Sequence, residues 1–164
     1  MIFRNTHAQT GRHVRVSPQN STMRHLSYAR IVLNPSCPGV TFSNGPQETG
    51  LICLSGRACV KAAEKEFVLE RYDSIYIPRD SAIEVSASGA ADLAEFSCDV
   101  TRRYPLKLVP YSELEKEAGL KFITGGPGKL APSEHGDCKE RGSGAAAARL
   151  HTFRSGQLDQ LAAA

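Results

Sequence analysis

Turn-forming residues interrupt the chain every few positions between His25 and Cys98, and the segments between them are short and rich in large and β-branched side chains. Residues 25–33 stop at Asn34-Pro35, residues 40–43 at Asn44-Gly45-Pro46, and residues 51–54 at Ser55-Gly56. Residues 57–62 and 66–69 flank a polar turn at 63–65. Residues 74–77 end at Pro78, residues 83–86 precede a Ser-Gly turn, and residues 92–98 close the series. Proline has no N–H to donate, and glycine and asparagine accept the left-handed backbone of tight turns, so this punctuation limits the chain to short strands. Many short strands at this spacing predict an all-β fold, an antiparallel sandwich or barrel, centred on residues 49–98.

The rest of the chain divides around that block. Its 164 residues amount to one domain with a real core. Residues 1–24 read as a polar arm, 25–110 as the sandwich and 111–128 as a connector. The connector holds a short helix at 111–118, with Ser112 and Glu115 forming a capping box and Gly119 a natural stop. After Gly125 the composition turns to glycine, polar residues and an alanine run at 145–148. No strand pattern recurs there, so disorder is expected from Lys129 onward. The net charge of +3 is small and scattered and gives little support to a nucleic-acid partner. Cys37, Cys53, Cys59, Cys98 and Cys138 are odd in number and irregularly spaced, which argues against a disulfide framework or a zinc ribbon. Cys53, Cys59 and Cys98 read as buried core thiols. No apolar run approaches a membrane span, and residues 1–9 lack the apolar centre of a signal peptide, so the expected setting is cytoplasmic with no membrane partner.

Residues 71–83, Arg71-Tyr72-Asp73-Ser74-Ile75-Tyr76-Ile77-Pro78-Arg79-Asp80-Ser81-Ala82-Ile83, resemble the second sequence motif of cupins: a turn, an apolar strand, then P-x-G-x-x-H. Pro78 fits the proline, Asp80 stands where glycine is usual, and Ile83 stands where the metal-binding histidine belongs. The first cupin motif runs H-x-H, a glutamate, and a glycine at the end of the next strand. Gly56 fits that glycine and Glu48 lies near the glutamate position, but residues 41–47, where H-x-H falls, contain no histidine. The resemblance implies a cupin-type antiparallel β-sandwich, a jelly roll, without its metal ligands.

A cupin metal needs about three or four imidazole or carboxylate groups converging on one point. Glu48 alone is not a site and reads as a surface turn residue. His7 and His13 lie in the polar arm, and His25 opens a strand as an edge or surface residue. His135 and Cys138 are spaced superficially like ligands, but they are two groups in a Gly-rich tail. Glu64, Glu66, Glu70 and Asp73 read as a solvated rim. With no nucleophile elbow, Walker loop or dinucleotide fingerprint present, no catalytic, cofactor-binding or metal-binding residue is assigned, and no cofactor is expected in this chain.

The order of segments from Arg4 to Gly128 resembles the 5-deoxy-glucuronate isomerase family of bicupins, which includes the 4-deoxy-uronate (5-keto-4-deoxyuronate) isomerases. The matching residues are Arg12-His13-Val14, Leu26-Ser27-Tyr28-Ala29-Arg30-Ile31-Val32-Leu33, and Glu48-Thr49-Gly50 running into Leu54-Ser55-Gly56. They continue through Tyr72-Asp73-Ser74-Ile75-Tyr76-Ile77-Pro78-Arg79, Ala91-Asp92-Leu93-Ala94-Glu95-Phe96 and Tyr104-Pro105-Leu106. The resemblance implies aldose–ketose isomerisation of a sugar acid in inositol or uronate catabolism, with a divalent metal such as zinc held by a second cupin. This chain would supply the N-terminal cupin only, inactive alone. The tail gives an expected reason. Permitted codons for residues 156–164, read one base later, give Gly-Asn-Trp-Thr-Ser-Trp-Pro-Pro, and the same shift allows Lys-Asn-Val-Glu-Ala-Gly-Arg across 139–145. Both strings resemble the family, so a frameshift near Gly128-Lys129 is expected, and the coding DNA decides it. The alternative is a metal-free module that dimerises, packs on a partner or holds a small ligand.

Overall fold

The computed structural model describes residues 3–116. Within them the strands run β1 (Gly11–Val16), β2 (Leu26–Leu33), β3 (Gly39–Ser43), β4 (Gln47–Ser55), β5 (Ala58–Ala62), β6 (Lys65–Leu69), β7 (Ser74–Ile77), β8 (Ala82–Ser86), β9 (Ala91–Asp99) and β10 (Lys107–Val109), followed by a helical turn, α1 (Tyr111–Leu114). They form two antiparallel sheets. One has six strands in the order β1-β2-β9-β4-β7-β10, the other four in the order β3-β8-β5-β6.

The period-two alternation of the strands makes the core. In register, Leu93 of β9 lies between Ile31 of β2 and Cys53 of β4, all three fully buried. Ile75 and Ile77 of β7 continue that inner layer. The four-stranded sheet answers with Val60, Ile83, Val85 and Leu69, also at 0% exposure. Each such aliphatic side chain contributes about 1.5–3 kcal/mol on burial, which is what holds two short-stranded sheets together. Gly56 sets the turn after β4. Its φ is +76°, and a Cβ there would sit 2.1 Å from the Ala90 carbonyl oxygen, so only glycine lets the backbones meet.

All eight strand runs expected between His25 and Cys98 are present, with ends moved by a few residues. The β5–β6 connection is tighter than expected. Ala63 and Glu64 alone form it, both left-handed (φ 50° and 60°), and Lys65 already pairs with Ala62. Two strands were not expected. β1 falls in the stretch read as a polar arm, where it pairs with β2 through Arg12 opposite Ile31 and Val14 opposite Ala29. β10 joins the opposite edge through three pairs to β7. The expected helix begins at Tyr111 as read. It is shorter than expected, because it ends at Leu114 and residues 115–116 form a turn; residues 117–118, the tail from Lys129 and the proposed frameshift lie outside the described residues. Among the described residues no helix is long and apolar enough to cross a membrane.

Candidate functional site

In a metal-binding cupin the ligands point between the sheets from the first and second motifs. The register shows which residues hold those places here. Phe42 of β3 faces Ile83 of β8 directly, and Ile83 is fully buried. Phe42 packs against the same core. In β4 the inward residue is Thr49, at 0% exposure, lying between Ser97 and Ile77. A phenyl ring, an isoleucine and a threonine offer no set of basic nitrogens or carboxylates. Among the described residues no group of three or more His, Cys, Asp or Glu side chains could hold a metal ion. The residues present do not fit a divalent cation.

Glu48 corrects the sequence reading. It is not a surface turn residue. It lies within β4 at 4% exposure. A shift of one residue in a strand changes the face, so Glu48 points away from Thr49 to the outer side of the six-stranded sheet. There the Tyr76 hydroxyl donates to its Oε2 at 3.0 Å and the Cys98 thiol to its Oε1 at 3.4 Å. Burial first, and then the nearby Glu48 carboxylate, push the Cys98 thiol up to about 12 and raise the Tyr76 phenol well above its ordinary value.

The second-motif turn keeps its shape without its glycine. Asp80 takes the left-handed conformation (φ 57°), which aspartate tolerates better than most residues, and its carboxylate accepts from Arg79 Nε at 2.8 Å. Asn44 ties this turn to the end of β3. Its Nδ2 donates to the Pro78 carbonyl (2.8 Å) and to Thr49 Oγ1 (3.3 Å), and its Oδ1 accepts from the Ser81 amide (2.8 Å). Ser81 Oγ donates to the same carbonyl at 2.7 Å. These bonds satisfy buried polar groups at the mouth of the sandwich.

Beside Phe42 the interior holds a charge pair that the sequence reading did not single out. Arg12 Nε and Nη2 donate to the two carboxylate oxygens of Glu95, each at 2.7 Å, with the Glu95 side chain 2% exposed. The guanidinium lies 4.0 Å above the Phe42 ring. One side chain thereby links β1, β9 and β3. A signal existed: Glu95 is a lone acid in the otherwise apolar run Leu93-Ala94-Glu95-Phe96, and a buried carboxylate needs a cation. A matched bidentate pair of this kind clamps strands together.

The other candidates are dispersed. His7 and His25 are exposed, and His13 bonds the Thr10 carbonyl at 2.9 Å. His135 and Cys138 lie outside the described residues. Glu64, Glu66 and Glu70 are exposed. Asp73 is half-buried, and its carboxylate accepts from the amides of Glu70 (2.9 Å) and Tyr111 (2.7 Å), organising a turn. Cys53 is a core thiol as expected, whereas Cys59 and Cys98 are only half-buried. Both stand at alternate positions that face out of their sheets, Cys59 donating to Glu66 Oε1 at 3.0 Å.

No curated protein matches the chain. Among solved structures, an IolB-like protein from Salmonella typhimurium LT2 superposes with a TM-score of 0.56 and 24% identity, over 64% of this chain and 43% of that one. The protein Ylba from E. coli gives a TM-score of 0.51 at 19% identity, over 62% of this chain and 44% of that one. A cupin 2 domain-containing protein from Halorhodospira halophila matches at 15% identity and a TM-score of 0.46, over 64% and 73% of the two chains. The chain thus spans less than half the length of the first two. The family model described as KduI/IolB family matches residues 1–119. A match of that extent, on a jelly roll with Gly56 and Pro78 at their motif positions, means that the chain belongs to the KduI/IolB family.

Proposed function

We propose that this chain is the metal-free cupin half of a carbohydrate isomerase of the kind that interconverts aldose and ketose forms of a sugar acid, and that it does not turn over substrate alone. The observation that carries this reading is the occupancy of the inward motif positions by Phe42, Thr49 and Ile83. Aldose–ketose isomerisation moves a proton between neighbouring carbons, so it needs an acid–base group and an electrophile beside the carbonyl. The interior described here presents neither, since Arg12 and Glu95 are locked to each other. The family and the IolB-like neighbour support the substrate class. The free cysteines Cys37, Cys53, Cys59 and Cys98 fit a reducing, cytoplasmic setting.

The test is an isomerase assay on a 5-deoxy-glucuronate-type sugar acid with Zn²⁺ or Mn²⁺ added. No turnover above the metal-only control is expected. Substantial turnover by the purified chain would overturn the reading.

A further inference from the structure

We propose that Asn44-Gly45 is a deamidation site that the fold holds closed, so that the crossing between the two sheets carries a one-way chemical switch. Such a switch is independent of the isomerase reading, because it rests on the bonds of one turn and on amide chemistry.

Asn44 is the one asparagine of this chain that glycine follows. Asn5, Asn20 and Asn34 precede threonine, serine and proline. With no Cβ, Gly45 leaves its amide nitrogen open to the side chain before it. When that nitrogen attacks Asn44 Cγ, the N–Cγ bond forms and the Cγ–Nδ2 bond breaks. Nδ2 leaves as ammonia, taking up the Gly45 amide proton, and a succinimide ring remains. Water then opens the ring at either carbonyl. One opening gives aspartate. The other gives isoaspartate, which lengthens the main chain by one carbon.

The attack needs the Asn44 amide to turn toward the Gly45 nitrogen, and the fold occupies that amide at both ends. Nδ2 donates to the Pro78 carbonyl at 2.8 Å and to Thr49 Oγ1 at 3.3 Å, while Oδ1 accepts from the Ser81 amide at 2.8 Å. Asn44 is only 8% exposed. The backbone is pinned as well. The Asn44 amide donates to the Ser81 carbonyl at 3.2 Å, and the Asp80 amide to the Gly45 carbonyl at 2.6 Å. The turn requires both residues: glycine for its left-handed φ of +51°, and asparagine for an amide that donates and accepts at once. The labile pair is therefore built into the crossing from β3, in the four-stranded sheet, to β4, in the six-stranded one. Refolding does not reverse the conversion. A carboxylate at position 44 has no proton for the Pro78 carbonyl and is a charge in a buried place. Arg79, next to Pro78, already donates to Asp80 and to the Val100 carbonyl.

Peptide mapping by mass spectrometry on the full chain at pH 8, native and in guanidinium chloride, reads the outcome. In denaturant Asn44 is expected to convert before every other asparagine. In the native chain its conversion is expected to be at least about a hundredfold slower, since the bonds on the amide must first open. Guanidinium chloride below the unfolding transition is expected to speed it, because the rate follows the open population. Thr49→Val, which removes one acceptor, is expected to speed native conversion about fivefold. Asn44→Asp, the product made directly, is expected to lower the urea midpoint or to prevent folding. Circular dichroism identifies a Thr49→Val chain that fails to fold, in which case the native-to-denatured ratio of the parent decides. A native rate within about threefold of the denatured one overturns the proposal. So does a native chain in which denaturant below the transition gives no conversion, a folded Thr49→Val chain that converts no faster, or an Asn44→Asp chain as stable as the parent.

Discussion

On the four-stranded sheet Lys61 stands between Glu66 and Glu84 at 3.7 and 3.8 Å, with all three side chains about half exposed. On the six-stranded sheet Arg12 grips Glu95 through two 2.7 Å contacts, with the carboxylate 2% exposed. Both are oppositely charged groups brought together by strand pairing, yet they do different work. The exposed set is screened by water and held by long side chains that lose rotamer freedom, so it contributes roughly 0–1 kcal/mol. The inner pair sits where the attraction is less screened, but where the Glu95 carboxylate also had to leave water, while Arg12 stays 29% exposed. Its net gain over an apolar pair is small, and its value lies in what breaking it does. The alternating strand pattern thus yields solvated charges on the outer face of one sheet and, on the other, a charge pair tied down beside the core.

Removing one member of the inner pair gives the largest expected effect. Arg12→Met leaves the Glu95 carboxylate buried without its cation and is expected to lower stability by about 3–5 kcal/mol in urea denaturation. The double variant Arg12→Met, Glu95→Met separates the charge from the packing. It is expected to recover most of that loss, because two well-packed apolar groups replace a desolvated pair. If the double variant is as unstable as the single one, the contact to Phe42 rather than the charge is what matters. Next in size is Ile83→Ala, at the point where a cupin ligand would stand. A cavity beside Phe42 and Ala62, the cross-strand partners of Ile83, is expected to cost about 2–5 kcal/mol. A loss below about 1 kcal/mol would mean that the position is loosely packed and open to a ligand.

The strand runs of the core were legible in the sequence because several of them end at turn-forming residues, among them Pro35, Gly45, Gly56 and Pro78, whereas the order of the strands in the two sheets was not. β1 was not legible. Arg12-His13-Val14-Arg15 shows no regular apolar–polar alternation, and the reason Arg12 points inward is a partner 83 residues away. β10 is three residues long between Pro105 and Pro110, and pairing with β7 alone makes it a strand. At the site, the absence of histidine from residues 41–47 was plain, whereas the fate of Glu48 turned on strand parity. One position decides whether a side chain enters the barrel beside Thr49 or leaves on the far side beneath Tyr76. Asp80 shows a third kind of limit, since the sequence shows a glycine lost while the left-handed turn survives through a residue that accepts it.

A smaller effect comes from the thiols of the six-stranded sheet. Cys98 titrates near 12 in the fold and Cys53 near 11, against an ordinary value of 9.0. Burial is the main cause for both. A raised thiol value means that the native state holds its proton where the unfolded chain has released it. The associated stability is therefore complete below about pH 9 and is lost as pH rises toward 11 and 12, by at most about 1.4 kcal/mol per pH unit for each thiol. Cys98→Ser is expected to flatten the pH dependence of the urea midpoint between pH 9 and 11. An unchanged slope would remove Cys98 from the account. Glu48→Gln takes away the second cause and is expected to speed alkylation of Cys98 by iodoacetamide at pH 8, since more of the thiol is then ionised.

The smallest expected effect is on the solvated sheet, and it tests the contrast from its weak side. Lys61→Met removes the cation that Glu66 and Glu84 share, yet both carboxylates keep their water. The change in stability is expected to stay within about 0.5 kcal/mol and to shrink further in 0.5 M salt, because the lost attraction is already screened. Arg12→Met, in the same salt, is expected to keep nearly all of its effect, since ions do not reach Glu95. If Lys61→Met instead costs more than about 2 kcal/mol, the outer face of the four-stranded sheet carries a coupled network like the inner one. The difference between the sheets would then lie in geometry rather than in exposure to water.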